Sequence, residues 1–400
     1  MLRNAYRTLQ VLQTLIIVHI MVTNHFDYII VGNGLAGFQL ALALSNDPYF
    51  KNKQIAIIDK NPKTTNDKTW CYWEKGVGKW DHLITKSWKT AHFFSSNKAL
   101  KLHLEPYTYK MLESIHFYND ARRVLSKNEN IHSILEAVIS VEEQSKITVI
   151  TSEANYTATH VFDSRITPDF KAQKDSYISI AQHFKGWTIE TETAVFDTKA
   201  FTMMDYRIKH NNQTTFTYVL PITPKKALIE FTYFTPELVA DNVYDIFLKR
   251  YISEILNINN YTVTEVEKGI IPMTNFPFKS YSTSNVTKIG TAGGWVKGST
   301  GYSFKHTEKK VHQIIVNLKA NRLPSAHLFQ EKYGFYDKVF LKVLQDNNEM
   351  GEWIFEQFYA KNPVQTMFQF LDEESSFKEE FKVMKSLFSI AFIKAFFKTL

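Results

Sequence analysis

The sequence predicts an α/β fold with two separate β-sheets and a helical C-terminal region. An apolar run at residues 28–31 leads through closely spaced glycines into an alanine-rich helical pattern, as in a strand, tight turn and helix. Polar and apolar residues alternate across residues 175–235, which indicates strands of a sheet with one buried face. Residues 305–400 show mostly helical spacing, and the same spacing predicts helices at residues 105–127 and 241–256.

The first glycine-rich segment is typical of a dinucleotide-binding turn. Residues 26–37 place Gly32, Gly34 and Gly37 at G-x-G-x-x-G spacing directly after a strand pattern. Gly32 permits the turn, Gly34 lets the backbone approach a pyrophosphate, and Gly37 allows the helix to pack closely on the strand. The N-terminus of that helix offers free N–H groups to phosphates. This is the pattern of a Rossmann-type cofactor domain.

A second apolar strand supports this interpretation. It ends in Asp59, about 20 residues beyond the glycines, where an acid binds a ribose hydroxyl. The pattern leaves FAD and NAD both open, and a turn without a ligand is the alternative. The cofactor-binding residues expected here are Gly32, Gly34, Leu35, Ala36, Gly37, Asp59 and Lys60.

A second glycine-rich loop lies late in the chain, at residues 289–304. Its glycines would let the backbone approach a flavin, as in many flavoproteins, although the usual Gly-Asp pair is Gly290-Thr291 here. The alternative is a plain surface loop. The cofactor-binding residues expected in this loop are Gly290, Thr291, Gly293, Gly294, Thr300 and Gly301.

Composition limits the class of protein. The chain has 400 residues, 31 Phe and 20 Tyr, which suits an elongated apolar ligand site or a membrane-facing surface, although a low-GC coding bias would enrich Phe as well. The net charge of +7 favours an anionic surface, and without a nucleic-acid motif a membrane is the expected partner. Cys71 is the single cysteine, which excludes an internal disulfide and fits a reducing cytoplasm. No Cys/His cluster has metal-ligand spacing, so we expect no metal. Because the sequence has no nucleic-acid motif, we expect no nucleic acid either.

The same patterns divide the chain into segments. Residues 1–24 contain a short apolar run after two arginines, and we interpret them as a non-essential extension rather than a signal peptide. The predicted domains are a first cofactor-domain part at 25–170 (including an aromatic segment at 67–104), an inserted substrate sheet at 171–265, a second cofactor-domain part at 266–320 and a helical region at 321–400.

Two segments are candidates for the reaction site. Glu230 lies inside a strongly apolar strand, where burial would raise the pKa of its carboxyl and suit it to general acid catalysis. Strand alternation alone could equally direct Glu230 toward water. Trp70, Tyr72 and Trp73 form a dense aromatic cluster that either lines a site or is a small local core.

Taken together, these segments resemble the flavoprotein lycopene cyclases of bacteria and plants. The resemblance spans most of residues 26–304 in family order. It is carried by residues 27–37, D-K-T-W-C-Y-W at 67–73, F-D-S-R at 162–165, L-P-I-T at 220–223, residues 228–235, G-I-I-P-M at 269–273 and I-G-T-A-G-G…S-T-G-Y-S-F at 289–304. The departures are Phe231, where the plant Phe-Leu-Glu-Glu-Thr motif has its second glutamate, and Gly298, where many relatives have proline.

The resemblance implies a fold, a cofactor and a reaction. The fold would be a Rossmann-type FAD-binding domain with an inserted antiparallel substrate sheet and a helical C-terminal region. The reaction would be the FAD-dependent, non-redox cyclisation of the ψ-ends of lycopene to β-rings, with Glu230 as catalytic acid and NAD(P)H serving only to reduce the flavin. The implied partners are lycopene and other carotenoids. The expected substrate-binding residues are Trp70, Tyr72, Trp73, Phe231, Trp295 and Tyr302.

Two other functions remain open on the sequence alone. One is an FAD monooxygenase or prenyl-chain reductase of the same fold, and the other is a non-catalytic carotenoid-binding flavoprotein. We also expect a cytoplasmic protein bound peripherally to the inner face of the membrane. Residues 384–400 would contribute through a helical face of Phe388, Ala391, Phe392, Ala395 and Phe396, although such a stripe could equally pack on the core.

Overall fold

The computed structural model describes residues 24–400, so nearly all of the predicted N-terminal extension lies outside the described residues. Within residues 24–400 the strands are, in chain order, β1 Asn24–Val31, β2 Ile55–Ile58, β3 Thr69–Lys75, β4 Lys86–Trp88, β5 Thr90–Phe94, β6 Ala99–His103, β7 Tyr107–Glu113, β8 Ile131–Ile134, β9 Val138–Glu143, β10 Ile147–Thr151, β11 Asn155–Asp163, β12 Ser179–Glu190, β13 Phe201–Asp205, β14 Thr215–Thr223, β15 Lys226–Thr235, β16 Thr262–Thr274 and β17 Val286–Lys288.

Helices cover the faces of the sheets and form most of the C-terminal region. They are α1 Leu35–Asn46, α2 Ser114–Leu125, α3 Asp169–Ala172, α4 Asp241–Arg250, α5 Phe304–Lys319, α6 Glu331–Asp346, α7 Gly351–Lys361, α8 Val364–Leu371, α9 Phe377–Ser386 and α10 Ile390–Thr399. The predicted helix at 241–256 is confirmed as α4, which continues into a π-helical turn at Tyr251–Ile255. Among the described helices, none combines the length and apolarity needed to cross a bilayer.

The first sheet has the order β8-β2-β1-β11-β10-β9, and β17 also pairs with β11. β8, β2, β1, β11 and β17 are mutually parallel. The register puts Val31 beside both Ile58 and Asp163, and Asp163 beside Lys288. The glycine turn, Asp59 and the second glycine loop therefore leave the sheet from one edge. This edge is where ligands of parallel α/β sheets bind.

The second sheet has the order β16-β12-β15-β14-β13-β5-β6. It is wider than the predicted substrate sheet at 171–265, because β5 and β6 join one end and β16 extends to Thr274 at the other. It is also not purely antiparallel, since β13 and β5 run parallel. One face packs on α4 and the other on the C-terminal helices, so both faces are covered.

The aromatic segment forms a small third sheet of order β3-β7-β4. The prediction of a helix throughout 105–127 is wrong at its start, because β7 occupies Tyr107–Glu113 and the helix begins at Ser114. Tyr109 pairs with Trp73 across the antiparallel β3–β7 ladder. Aromatic side chains favour such cross-strand pairing, which local helical spacing does not reveal.

Candidate functional site

The three glycines of the first turn differ in what surrounds them. Gly32 has φ of +100°, and a Cβ there would lie 2.0 Å from Ser164 Oγ. A Cβ on Gly37 would lie 1.9 Å from the carbonyl oxygen of Gly32, so only glycine lets α1 approach the turn. A Cβ on Gly34 would meet nothing within 4 Å. Gly32 and Gly37 are thus required by the fold, whereas Gly34 faces open space, as an approach to a ligand requires.

The N-terminus of α1 points to the same space. α1 begins after Gly34, and no side chain caps its first N–H groups. Such a helix end binds anions through free N–H groups and the positive end of its dipole. Asp59 lies beside this turn, where its carboxylate accepts hydrogen bonds from the backbone N–H groups of Asn33 and Asn61, both at 2.9 Å. Lys60 is exposed.

The second glycine loop contacts the first. Gly290 has φ of +62°, and a Cβ there would lie 3.2 Å from the Cβ of Ala36 in α1. Gly301 has φ of +74°, and a Cβ there would lie 2.2 Å from Gln182 Oε1 on β12 of the second sheet. The loop therefore joins the nucleotide turn to the second sheet.

A single cavity of about 510 Å³ connects these elements. Its walls include Gly34, Leu35, Ala36, Gly37, Gly290, Thr291, Thr300 and Gly301 from the two loops, together with Glu230 and Glu267 from the second sheet. Five of the expected cofactor residues do not line it: Gly32, Asp59, Lys60, Gly293 and Gly294. Gly293 instead turns the backbone, because its Cβ would lie 2.4 Å from the carbonyl oxygen of Lys288.

Glu230 on β15 lines this cavity and is half-buried. Strand alternation directs its side chain into this cavity, on the face of the second sheet opposite to α4. Glu230 forms no ion pair within residues 24–400, and its Oε1 accepts a hydrogen bond from Thr232 Oγ1 at 2.8 Å. Burial raises the pKa of Glu230 well above its ordinary value, and the nearby Glu267 raises it further. Both effects favour the acid form of the carboxyl.

Glu267 is a functional candidate that sequence reasoning missed. It lies on β16, and its Oε2 accepts a hydrogen bond from Thr69 Oγ1 at 2.7 Å. Burial raises the pKa of Glu267 to about 7. One sequence feature indicates Glu267 weakly. It precedes Gly269, the first residue of the G-I-I-P-M motif, by two positions and so shares its strand face.

The six aromatic residues expected to bind substrate do not all lie at one site. Trp70, Trp295 and Tyr302 line the cavity that contains Glu230. Tyr72 lines neither cavity described in this section and instead stacks on Phe304 with ring centroids 4.7 Å apart. The expectation for Phe231 is wrong. Phe231 follows Glu230 on the same strand, so it points to the opposite face, where it stacks on Phe247 at 4.8 Å.

A second cavity, of about 430 Å³, adjoins the first and is almost entirely apolar. Tyr218 and Tyr302 line both cavities. Trp73 lines only the apolar one, where it stacks on Phe368 at 4.4 Å and meets Tyr302 edge-on at 4.7 Å. Trp73 Nε1 donates a hydrogen bond to Asp372 at 2.7 Å. This bond fixes the indole so that its ring forms part of the cavity wall.

The apolar cavity reaches the C-terminal helices. Its far wall contains Met384, Leu387, Phe388, Phe392, Ile393, Phe396 and Phe397. The predicted helical face is divided: Ala391, Phe392 and Ala395 pack on the core, whereas Phe388 is 72% exposed. Other apolar side chains of this region are also exposed, namely Phe377, Phe381, Ile390, Phe397 and Leu400. The region thus combines a core contact with an unusually apolar surface.

Proteins of known structure share this fold. A geranylgeranyl bacteriochlorophyll reductase-like protein from Thermoplasma acidophilum superposes with a TM-score of 0.60 at 10% identity, covering 94% of this chain and 100% of that chain. The flavin-dependent brominase Bmp2 gives 0.57 at 12% identity, with coverages of 91% and 93%. A variant of the halogenase PltM in complex with FAD gives 0.57 at 11% identity, with coverages of 94% and 90%. The fold is that of FAD-dependent oxidoreductases.

The sequence also identifies a particular family within this fold class. The family described as lycopene cyclase protein matches residues 27–396, nearly the whole chain. The protein therefore belongs to the lycopene cyclase family, as its motifs suggested. A comparison with curated proteins gave no match.

Proposed function

We propose that this protein is an FAD-dependent lycopene cyclase that forms β-rings at the ends of lycopene. One observation carries the proposal: a single cavity joins the nucleotide turn to a buried carboxylic acid, and an apolar cavity continues from it. A carotenoid end group needs both parts. The reacting double bond requires an acid, and the long hydrocarbon that follows requires an apolar channel. Family membership supports the same reaction.

The residues of the first cavity fit FAD. Gly34 leaves room where any side chain would intrude, and α1 offers uncapped N–H groups to the pyrophosphate. Trp295 Nε1 and Gln182 Oε1 line the cavity and have no hydrogen-bond partner among the described residues, so they are available to a polar ligand. Bound in its reduced form, FAD would supply electron density near the developing cation. NAD(P)H would be needed only to reduce it.

The protein groups can carry the proton chemistry. Glu230 is held as the acid by burial, so it can transfer its proton to the terminal double bond of the substrate and generate a tertiary cation. Attack by the neighbouring double bond closes the ring, and loss of a ring proton completes a net isomerisation. Aromatic faces stabilise cations, and Tyr218, Tyr302 and Trp73 supply such faces around the junction of the two cavities.

The C-terminal region supports entry of substrate from a membrane. Lycopene dissolves in the hydrocarbon of a bilayer rather than in water. The apolar cavity reaches α9 and α10, where Phe388 and Phe397 both line the cavity and are exposed. Lys385 and Lys394 on the same helices are also exposed and can contact lipid phosphates. We propose peripheral binding to the inner face of the membrane through this surface.

The deciding experiment is anaerobic turnover of lycopene in liposomes by the purified full-length protein. Dithionite should replace NAD(P)H, and β-carotene should form without net consumption of reductant. One NADPH oxidised per product would instead indicate a reductase, and O₂ consumption coupled to oxygenated product a monooxygenase. Bound pigment that is never converted would leave only a binding protein.

A further inference from the structure

Three neighbouring strands of the second sheet place two carboxylates on either side of a glycine. Gly186 of β12 pairs with Glu230 of β15 on one side and with Glu267 of β16 on the other. All three residues occupy directly opposed positions, so their side chains share one face of the sheet. The two acids are 37 positions apart along the chain, and only this register brings them together.

Gly186 leaves the space between the two acids open. A Cβ there would lie 3.1 Å from Glu267 Cγ, 3.6 Å from Glu230 Cβ and 3.0 Å from Leu228 Cδ1. Gly186 lies inside a 12-residue strand, where glycine is disfavoured unless something approaches closely. What approaches here is the pair of glutamate side chains.

The register brings the two carboxyl groups within reach of a shared hydrogen bond, and each group acts on the pKa of the other. A hydrogen bond between two carboxyl groups needs a proton on one of them, because ionised carboxylates only accept. Each group has one further anchor, since Thr232 donates to Glu230 and Thr69 donates to Glu267. Both acids line the cavity that contains the nucleotide turn.

The surrounding groups do not replace this pairing. Cys71 of β3, Tyr218 of β14 and Tyr302 of the second glycine loop lie near Glu230, and Glu113 and Glu265 act on Glu267. Lys268, the next residue of β16, forms its ion pair with Asp241. These five groups are two acids, one thiol and two phenols, and each of them favours retention of the proton when it is ionised.

We propose that Glu230 and Glu267 act as one acid with a single shared proton, in which Glu267 is the positioning residue that keeps the proton on Glu230. The proposal rests on the proposed cyclase function. In the reaction the proton leaves the pair for the less substituted carbon of the terminal double bond, and one ring proton returns to the pair when the double bond of the product forms. No electron is gained or lost, and the acid is restored after each ring.

A pH–rate profile of anaerobic cyclisation tests the positioning role. Glu267→Gln keeps the shape of the side chain but removes its charge, so the pKa of Glu230 should fall while burial still acts on it. We expect the alkaline limb of the profile to move to lower pH. If the pKa of Glu230 falls by about one, its acid fraction at the wild-type midpoint falls from about one half to about one eleventh, so the rate there should be about fivefold lower. Glu190→Gln, at the exposed end of the neighbouring strand β12, should retain the wild-type limb.

An unchanged alkaline limb in folded, flavin-loaded Glu267→Gln would overturn the proposal and leave the cyclase function intact. Gly186→Ala offers a second route, because its Cβ would push the two stems apart and should move the limb in the same direction. If Gly186→Ala fails to fold, the pH–rate profile of Glu267→Gln still decides whether Glu267 has the positioning role.

Infrared spectroscopy tests the pairing without turnover and so separates it from the proposed function. The carbonyl band of a protonated carboxylic acid should titrate at lower pH in Glu267→Gln than in the wild type. The part of the band that belongs to the pair should be missing from the double variant Glu230→Gln/Glu267→Gln, which leaves only the bands of other carboxyl groups such as Asp372. Identical titrations in the wild type and Glu267→Gln would rule out a shared proton even if the protein cyclises lycopene.

Discussion

The nucleotide end and the acid end of the main cavity are built in different ways. At the nucleotide end, Gly32, Gly34 and Gly37 act within one short turn, and their spacing alone describes it. At the acid end, Glu230, Gly186 and Glu267 come from three strands and meet only through the register of the sheet. The first end is a local device that recurs in many proteins, whereas the second is particular to the way this chain folds.

The largest expected effect is at the nucleotide end. Gly34→Val should abolish FAD binding and activity, because the side chain would enter the space intended for the pyrophosphate. The fold should survive, since a Cβ at this position meets no protein atom within 4 Å and the backbone is already extended. Flavin absorbance per protein and circular dichroism measure the two properties. Gly334→Val, also in open space but in α6, is the control and should stay yellow. A fully loaded Gly34→Val protein would contradict this contact.

The next effect isolates the acid end. Glu230→Gln should retain FAD and the fold, because the amide oxygen still accepts from Thr232. Cyclisation should fall by at least about 10²-fold, the lower range for general acid catalysis. Product analysis by chromatography, with flavin content measured in parallel, gives both quantities. If β-carotene output stayed near the wild-type rate, Glu230 would have no part in the mechanism.

A smaller effect concerns stability rather than rate. The pKa of Glu267 is about 7 in the folded protein against 4.5 ordinarily, so the native state binds more protons than the unfolded state between these values. The contribution of Glu267 to the free energy of unfolding should therefore be complete below about pH 4.5. It should decline by about 1–3 kcal/mol as the pH rises through 7. Chemical unfolding at several pH values measures the decline. Glu267→Gln should flatten it, and an equal slope in the variant would contradict the assignment.

The smallest expected effect concerns the membrane-binding surface rather than either end of the main cavity. The double variant Phe388→Ser/Phe397→Ser should weaken flotation with anionic liposomes by about tenfold, since full burial of one Phe is worth about 1.5–3 kcal/mol and these rings would insert only in part. The matched control Val77→Ser/Leu135→Ser changes two exposed apolar residues elsewhere. Equal flotation of all three proteins would exclude a docking role for α9 and α10, without affecting the cyclase assignment.

The sequence by itself determined the nucleotide turn, the second glycine loop, the family and the candidate acid Glu230. The turn and the loop follow from glycine spacing and apolar runs, whereas the family and the role of Glu230 follow from the resemblance of the motifs taken together. The boundary of α2 was misplaced because Tyr107–Glu113 pairs with a strand some forty residues earlier, and such pairing is invisible to local periodicity.

Only the tertiary structure decided which face each strand residue presents and which distant residues meet. Phe231 does not line the predicted site, because adjacent strand residues point to opposite faces. Glu267 does line it, because β16 pairs with β12. Strand register depends on the packing of both sheet faces, which is a property of the whole chain. For that reason a lone acid could be found from the sequence, whereas its partner and the glycine between them required the fold.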